Sequence, residues 1–265
     1  MRKLRRAGVL AACATAAAGL AVSLAGAQSA APCAGGKQGT AEWDVITGSQ
    51  LEPDRLDGLA GDDYLMGLQG NDCLDGGEGN DHLSGDPGND RLYGSGGNDD
   101  VAGGTGNDLL NGGAGFNFME GGLGDDRLLG GPNLDDLSGG RGDDVLHGGG
   151  AYDLLSGGVD DDKLFGGGSQ DDLDGGIGGD QLFGGDGPDR LTGGLDQDVL
   201  NGGGGDDRLD GGEDYDRYGG GKGNDMIVAV DGRAEPIDCG GGRDTVYADR
   251  GDNLRNCEIV RRLRR

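Results

Sequence analysis

The stretch GGRGDDVLH (139–147) contains the pattern GGxGxDxLx, which decides the fold of this chain. The pattern recurs in 20 consecutive copies from Ser49 to Val228, with no insertion or deletion between copies. Position 6 is Asp in 19 copies and Asn117 in the other, and position 8 is always apolar. A period of nine that is kept this strictly predicts one structural unit stacked on its neighbours, as in a solenoid.

Each position of the repeat has a separate structural requirement. Glycines at positions 1, 2 and 4 permit positive φ angles, so the first six residues can form a tight turn whose carbonyl oxygens point at one spot. The last three residues, x-L-x, are long enough for one short strand with its middle side chain directed inward. Position 4 is occupied by Glu52, Ala151 and Ser169 in three copies, where we expect strained or open turns.

The chemistry of such a turn favours a hard metal ion. Carboxylate and carbonyl oxygens in a flexible loop suit Ca²⁺ better than Mg²⁺, which requires stricter octahedral geometry. At these residues the chain resembles the RTX family of hemolysin-type calcium-binding nonapeptide repeats, over about two-thirds of its length. The resemblance implies an all-β, right-handed parallel β-roll with two repeats per coil, and calcium between turns two repeats apart.

If successive repeats alternate sides, the position-6 residues form two rows. Row 1 contains Asp54, Asp72, Asp90, Asp108, Asp126, Asp144, Asp162, Asp180, Asp198 and Asp216. Row 2 contains Asp63, Asp81, Asp99, Asn117, Asp135, Asp153, Asp171, Asp189, Asp207 and Asp225. We expect these Asp residues to bind calcium in about ten two-repeat coils, with weaker binding at Asp54, Asp135, Asp153 and Asp171.

Row 2 departs from the pattern in its middle, where GGAGFN, GGPNLD, GGGAYD and GGGSQD occupy consecutive turns between Gly112 and Asp174. We expect weak or no ion binding there, which leaves roughly a dozen sound sites. Phe116, Leu134 and Tyr152 then lie one above another, about 5 Å apart. They either pack together in place of missing ions or form an apolar strip for a surface or glycan partner.

The composition explains why the chain needs an ion to fold. Gly supplies 65 of 265 residues and the formal net charge is −27, which alone would indicate disorder. One buried Leu per repeat contributes about 2 kcal/mol, whereas ordering nine residues costs on the order of 10 kcal/mol. We therefore expect the calcium-free chain to be largely unfolded. The negative charge excludes nucleic acid as a partner.

The two ends indicate export. Residues 1–27 have the basic start, apolar run and small-residue cleavage site of a Sec signal peptide, which predicts a secreted, extracellular protein with no membrane span after cleavage. Residues 28–48 are expected to form an N-terminal cap, 49–228 the roll, and 229–265 a disulfide-linked C-terminal cap with a basic tail. We pair Cys239 with Cys257 and Cys33 with Cys73.

The chain carries no sequence motif of catalysis. We therefore expect no enzyme: the segments of this sequence that flank the repeats are short for a catalytic domain, no hydrolase or P-loop motif is present, and His82 and His147 are expected on opposite sheets. Two functions stay open: a calcium-binding roll, or a calcium-gated adhesin or matrix protein. On the outer face of the row-1 sheet, Arg127, Lys163 and bulky position-9 residues either shield the sheet or contact a polymer or another roll.

Overall fold

The computed structural model describes residues 36–262, which form two parallel sheets of 13 strands each. Odd-numbered strands build sheet A and even-numbered strands build sheet B, so the chain changes sheet after every strand. Each strand pairs with the strands two before and two after it. This is a parallel β-solenoid, called the roll below. The strands that follow the turns of row 1 belong to sheet A, and the strands that follow the turns of row 2 belong to sheet B.

The strands have the following bounds. Sheet A contains β1 (Lys37–Gln38), β3 (Arg55–Asp57), β5 (Cys73–Glu78), β7 (Arg91–Gly96), β9 (Leu109–Ala114), β11 (Arg127–Gly131), β13 (Val145–Gly149), β15 (Lys163–Gly168), β17 (Gln181–Asp186), β19 (Val199–Gly204), β21 (Arg217–Lys222), β23 (Pro236–Gly241) and β25 (Asn253–Arg255). Sheet B contains β2 (Val45–Thr47), β4 (Tyr64–Met66), β6 (His82–Pro87), β8 (Asp100–Thr105), β10 (Asn117–Leu123), β12 (Asp135–Arg141), β14 (Leu154–Val159), β16 (Asp172–Ile177), β18 (Arg190–Leu195), β20 (Arg208–Gly212), β22 (Met226–Ala229), β24 (Thr245–Ala248) and β26 (Ile259–Arg262).

The core is one continuous cluster, built mainly of position-8 side chains from both sheets. Leu128, Leu137 and Leu146 have no exposed surface, and the same holds for most of their equivalents. Most strands are longer than the expected three residues, because they continue into positions 1 to 3 of the next repeat, as in β5. The alternation of a strand then directs positions 6, 8 and 1 inward, so Asp, Leu and Gly share the inner face.

The roll has about thirteen coils, more than the ten expected from the strict repeats. The additional strands lie outside 49–228, because pairing continues through β1 and β2 at one end and through β23 to β26 at the other. The first turn of the repeat region also begins one residue earlier than the repeat pattern in the sequence predicts. Thr47 pairs with Met66, 19 residues later, so Gly48 takes position 1 and this turn contains one residue more than the others.

A disulfide joins Cys239 to Cys257, as the sequence predicted. The two residues are 18 positions apart, which is the length of one regular coil, and their Cα atoms are 5.3 Å apart. Cys239 is fully buried and takes the inner position 1 that glycine occupies in regular repeats. The bond therefore links the last two coils of sheet A. The proposed signal peptide and Cys33, the expected partner of Cys73, lie outside the described residues.

The recurring glycines of the repeat serve two different purposes. The glycines at positions 2 and 4, except Gly88, have positive φ, for example 117° at Gly140 and 119° at Gly142. Position 1 does not, so the expectation of positive φ there was wrong. It needs glycine for space: a Cβ on Gly139 would lie 2.4 Å from Oδ2 of Asp144 and 2.7 Å from the carbonyl oxygen of Gly157.

Position 4 shows which substitutions the turn accepts. Asp160, Asp196 and Asp214 keep positive φ angles of 78° to 86°. Ser169 also stays left-handed, at 81°, so this turn keeps its shape with a strained residue. Glu52, Asn133 and Ala151 are not among the described residues with positive φ, so position 4 is not left-handed in these three turns. Asn133 could adopt that conformation, but does not do so here.

We predict that Gly166→Ala destabilises the roll, whereas Gly168→Ala in the same strand does not. A Cβ on Gly166 would lie 2.5 Å from Oδ2 of Asp171 and 2.6 Å from the carbonyl oxygen of Gly184, while a Cβ on Gly168 meets nothing within 4 Å. The expected loss is about 2 kcal/mol in the free energy of unfolding, measured by denaturant titration at fixed calcium. Equal stability of the two variants would contradict the spatial role of position 1.

Candidate metal centre

The position-6 side chains form a continuous hydrogen-bonded column in each row, called the inner ladder below. The backbone N–H of each residue donates to Oδ1 of the Asp one coil later, as from Asp126 to Asp144 at 2.7 Å and from Asp144 to Asp162 at 2.8 Å. Except for Asp54, which is half-buried, the Asp side chains are almost fully buried. One carboxylate oxygen per turn therefore holds two coils in register, and the other carboxylate oxygen takes no part in this hydrogen bond.

That second oxygen, Oδ2, is buried and has no hydrogen-bond partner in most turns. It is unpartnered in Asp63, Asp72, Asp81, Asp90, Asp99, Asp108, Asp126, Asp135, Asp144, Asp153, Asp162, Asp171, Asp180, Asp189, Asp198, Asp207 and Asp225. A buried charge without a partner is costly unless a cation or a proton neutralises it. The structure therefore leaves one buried carboxylate oxygen without a partner in nearly every turn, where a cation or a proton could neutralise it.

A backbone carbonyl oxygen of the next coil lies near this Oδ2 atom. Oδ2 of Asp144 and the carbonyl oxygen of Gly157 both lie within 2.7 Å of the point where a Cβ of Gly139 would be. Among residues 36–262 there is no group of three or more His, Cys, Asp or Glu side chains arranged for a metal. An ion here would be held by few carboxylates supplemented by backbone carbonyls, an all-oxygen donor set that fits calcium.

Burial also changes the protonation of the ladder. It raises the pKa of Asp162 and Asp198 to about 8, and the neighbouring carboxylates of the same row contribute to the increase. The pKa of Asp108 rises to about 6, again because of burial. Without a cation, these residues keep protons well above the usual pH range of a carboxylic acid, because the interior does not stabilise their charge.

The four residues expected to be weak ligands do not behave alike. Burial acts to raise the pKa of Asp54, but hydrogen bonds from the backbone and side chain of Ser49 to its Oδ2 outweigh that effect and lower the pKa. Asp135, Asp153 and Asp171 are buried, and each has an unpartnered Oδ2 like the sound turns. The ranking of these three as weaker ligands stays a prediction.

A second ladder runs along the outside of the turns at position 5, called the outer ladder below. Here the backbone N–H donates in the opposite direction, to the side chain one coil earlier, as from Asn107 to Asn89 at 3.0 Å and from Asp125 to Asn107 at 3.2 Å. In row 1 it extends from Asn71 to Gly179. Adjacent turns are therefore tied in both directions.

The irregular turns of row 2 interrupt the outer ladder and leave the inner one intact. Phe116 is the last donor before the interruption, to Asn98, because Phe116 and Leu134 carry no acceptor for the next coil. The outer ladder of row 2 resumes where Asn224 donates to Asp206. The inner ladder continues past them through Asn117 and Asp135. Sequence reasoning could not separate these two effects, because the directions of the ladders depend on how the coils stack.

Both inner ladders also extend beyond the strict repeats. The backbone N–H of Asp44 donates to Asp63 at the start of row 2. At the other end the acceptors are Glu235, Asp244, Asp252 and Glu258. Sequence reasoning missed these positions because their spacing changes to 19, 17 and 14 residues. The signal that could have found them is an acidic residue two positions before Ile237, Val246, Leu254 and Val260.

The two histidines lie far apart in the topology. His82 is in sheet B and His147 is in sheet A, on opposite sheets as expected. No helix long and apolar enough to cross a membrane occurs among residues 36–262.

A family model for the RTX calcium-binding nonapeptide repeat matches the chain from 52 to 218 in overlapping or adjoining segments, and again from 237 to 254. These segments cover more than half of the chain, which therefore belongs to this family. No curated protein matches the chain. The last matched segment includes Asp244 and Asp252, two of the positions that the strict nine-residue register left out.

We predict that acid promotes folding of the calcium-free roll. The folded pKa values of about 6 to 8 lie above the ordinary 3.8, so the stability that protonation contributes is complete below pH 3.8 and is lost as pH rises through 6 to 8. In EDTA, the far-UV circular dichroism signal of β structure should grow when pH falls from about 8 to about 5.5. A decrease on acidification would contradict the buried inner ladder.

We predict that Phe116→Asn, Leu134→Asn and Tyr152→Asn, made together, raise the stability of the roll in calcium. Asn is the residue that forms the outer ladder elsewhere, and the three native side chains are 45%, 38% and 36% exposed, so little buried apolar surface is lost. Thermal unfolding with a calcium titration measures the change. A clear loss of stability would show that the three side chains pack together in place of that ladder.

Proposed function

We propose that this protein is an extracellular calcium-binding roll whose folding depends on the ion. The observation that supports this most is the buried, unpartnered Oδ2 in nearly every turn. A bound Ca²⁺ would neutralise these oxygens and so supply the favourable term that one Leu per repeat cannot provide. Folding and ion binding would then be a single cooperative event, because each coil contacts mainly its neighbours.

The residues that would hold the ions are the position-6 Asp residues together with the carbonyl oxygens of the adjoining turns. Each Asp keeps one oxygen in the inner ladder and offers the other to the ion, so the same side chain sets the register and binds. We propose roughly a dozen ions per chain, with the sound turns of row 1 occupied first. Row 2 would fill less tightly between Gly112 and Asp174.

We propose an extracellular location for two reasons, the signs of export in the sequence and the calcium available outside the cell. The signal peptide predicted at 1–27 and the Cys239–Cys257 bond both suit an oxidising compartment outside the cell. Weak sites, with dissociation constants of about 10⁻⁴ to 10⁻³ M, are typical of extracellular modules. The chain would stay unfolded during export and fold on meeting calcium. With this architecture we propose a binding role and no catalysis.

The direct test is circular dichroism of the mature chain in EDTA and then in millimolar calcium, with magnesium as the control ion. We expect a strong β signal with calcium only, and native mass spectrometry should count roughly a dozen ions. A full β signal in EDTA at neutral pH would overturn the coupling of folding to the ion.

A matched pair of variants tests the ligands themselves. Asp162→Asn keeps an amide oxygen for the inner ladder but removes the charge of the buried Oδ2, so it should lower the number of bound ions by about one or two. Asp161→Asn, one residue earlier, changes only an exposed side chain of the outer ladder and should leave the number of ions unchanged. Equal ion counts in the two variants would argue against Asp162 as a ligand.

A second candidate function is a calcium-gated surface adhesin or matrix protein. The observation in its favour is that Phe116, Leu134 and Tyr152 are 45%, 38% and 36% exposed and occupy neighbouring coils on one edge. A pull-down on cell walls and glycans, with and without calcium, separates it from a simple calcium binder. Loss of binding in the triple Asn variant described above would assign the contact to this strip, and binding without calcium would reject the gating.

A further inference from the structure

The outer faces of the two sheets have opposite charge in the middle of the roll. Across five neighbouring coils of sheet A, positions 7 and 9 between Arg91 and Phe165 include three basic residues and no acidic ones. The same positions of sheet B, between Asp100 and Asp174, include five acidic residues and no Lys or Arg. In a chain of net charge −27, a face free of acids over this length is a marked departure.

Position 7 shows the segregation most clearly, because charged and apolar residues alternate there from coil to coil. On sheet A the basic column is Arg91, Leu109, Arg127, Val145 and Lys163, each paired in register with the next. On sheet B the acidic column is Asp100, Phe118, Asp136, Leu154 and Asp172. Both columns read charged, apolar, charged, apolar, charged.

The two columns therefore have the same spacing. Charges recur every second coil in each, which is about 9.6 Å at the usual strand separation. Because both columns are built on the same coils, this spacing is identical over their whole length. The order is also the same in either direction along the roll. When one column faces the other, every cation meets an acid and every apolar residue meets an apolar residue.

The side chains of both columns are accessible for such a contact. Arg91, Arg127 and Lys163 are exposed, and none of them forms an ion pair within the described residues. Phe118 is 45% exposed. In the acidic column, Asp100 contacts His82 at 3.0 Å and Asp172 contacts Arg190 at 3.8 Å, both on the surface, where such contacts contribute little.

The position-9 side chains of the two sheets are also complementary in size, large on sheet A and mainly small on sheet B. On sheet A position 9 carries Tyr93, Leu129, His147 and Phe165, and the rings of His147 and Phe165 stack at 4.6 Å. On sheet B it carries mainly small residues, among them Ala102, Ser138 and Ser156. Because the two rings are stacked face to face, their edges point away from the sheet and form a ridge on its outer surface. A ridge on one sheet and a row of small residues on the other are suited to packing.

We infer that the partner of this surface is a second copy of the chain, with sheet A of one roll against sheet B of the next. A partner with charges of the right sign at every second coil is another roll, since the period is set by the coils themselves. Such a contact is heterologous, and each copy retains a free sheet A or sheet B, so the association is open rather than a closed dimer. The inference does not depend on which ions fill the turns.

Charge exchange between the central residues of the two columns tests this contact. Arg127→Glu and Asp136→Arg, each alone, should weaken self-association of the full chain at least about tenfold, because like charges then face each other. Mixing the two variants restores matched contacts, because the introduced acid of one variant faces the introduced base of the other, and their unchanged Arg127 and Asp136 also face each other. Sedimentation velocity in millimolar calcium should show larger species with rising concentration for the wild type and for the mixture.

Three further measurements keep the outcome unambiguous. Circular dichroism shows whether each variant is folded, so failure to fold, or failure of calcium to drive folding, is distinguished from failure to associate. Arg141→Glu and Asp186→Arg make the same charge changes outside both columns and should associate like the wild type. Phe118→Ser should weaken association without loss of stability. A wild type that stays monomeric, or an Asp136→Arg variant that associates normally, would overturn the inference.

Discussion

The structure depends on one buried carboxylate in each turn. An Asp at position 6 points inward because the alternation of the strand places it on the same face as the core Leu two residues later. One of its oxygens receives a backbone N–H from the preceding coil, which fixes the stacking of the turns. The other oxygen is buried with nothing to neutralise it. The interaction that sets the register therefore creates the demand for a cation, and fold and ligand have a single origin.

Much of this could be predicted from the nine-residue period. The two rows of Asp, the buried column of Leu and the assignment of His82 and His147 to opposite sheets all follow from the alternation of repeats. The period could not show the coils beyond 228, because the spacing between ladder residues changes to 19 at Glu235 and the residue type changes with it. Nor could it show why position 1 is glycine, since that reason lies in an approach to the neighbouring coil.

The irregular part of row 2 illustrates the limit of reasoning from a consensus. Departures at positions 4 and 5 looked like damage to the whole turn, yet Asp135 and Asp153 keep their place in the inner ladder. What is lost there is the outer ladder, and its place is taken by half-exposed apolar side chains. Different positions of a repeat form different interactions, such as the inner ladder at position 6 and the outer ladder at position 5. A substitution at one position removes only the interaction that this position forms.

The bond between Cys239 and Cys257 has a consequence for how the roll assembles. It spans one coil, so β23 and the segment that follows β25 stay close even when the rest of the chain is unfolded. The first stacked pair of coils is the slowest step in forming a linear array of repeats, because its ordering cost is not yet offset by neighbours. With that pair tethered, we expect growth to begin at the carboxyl-terminal end and to proceed toward the amino terminus, because the first stacked pair forms there at a lower entropy cost.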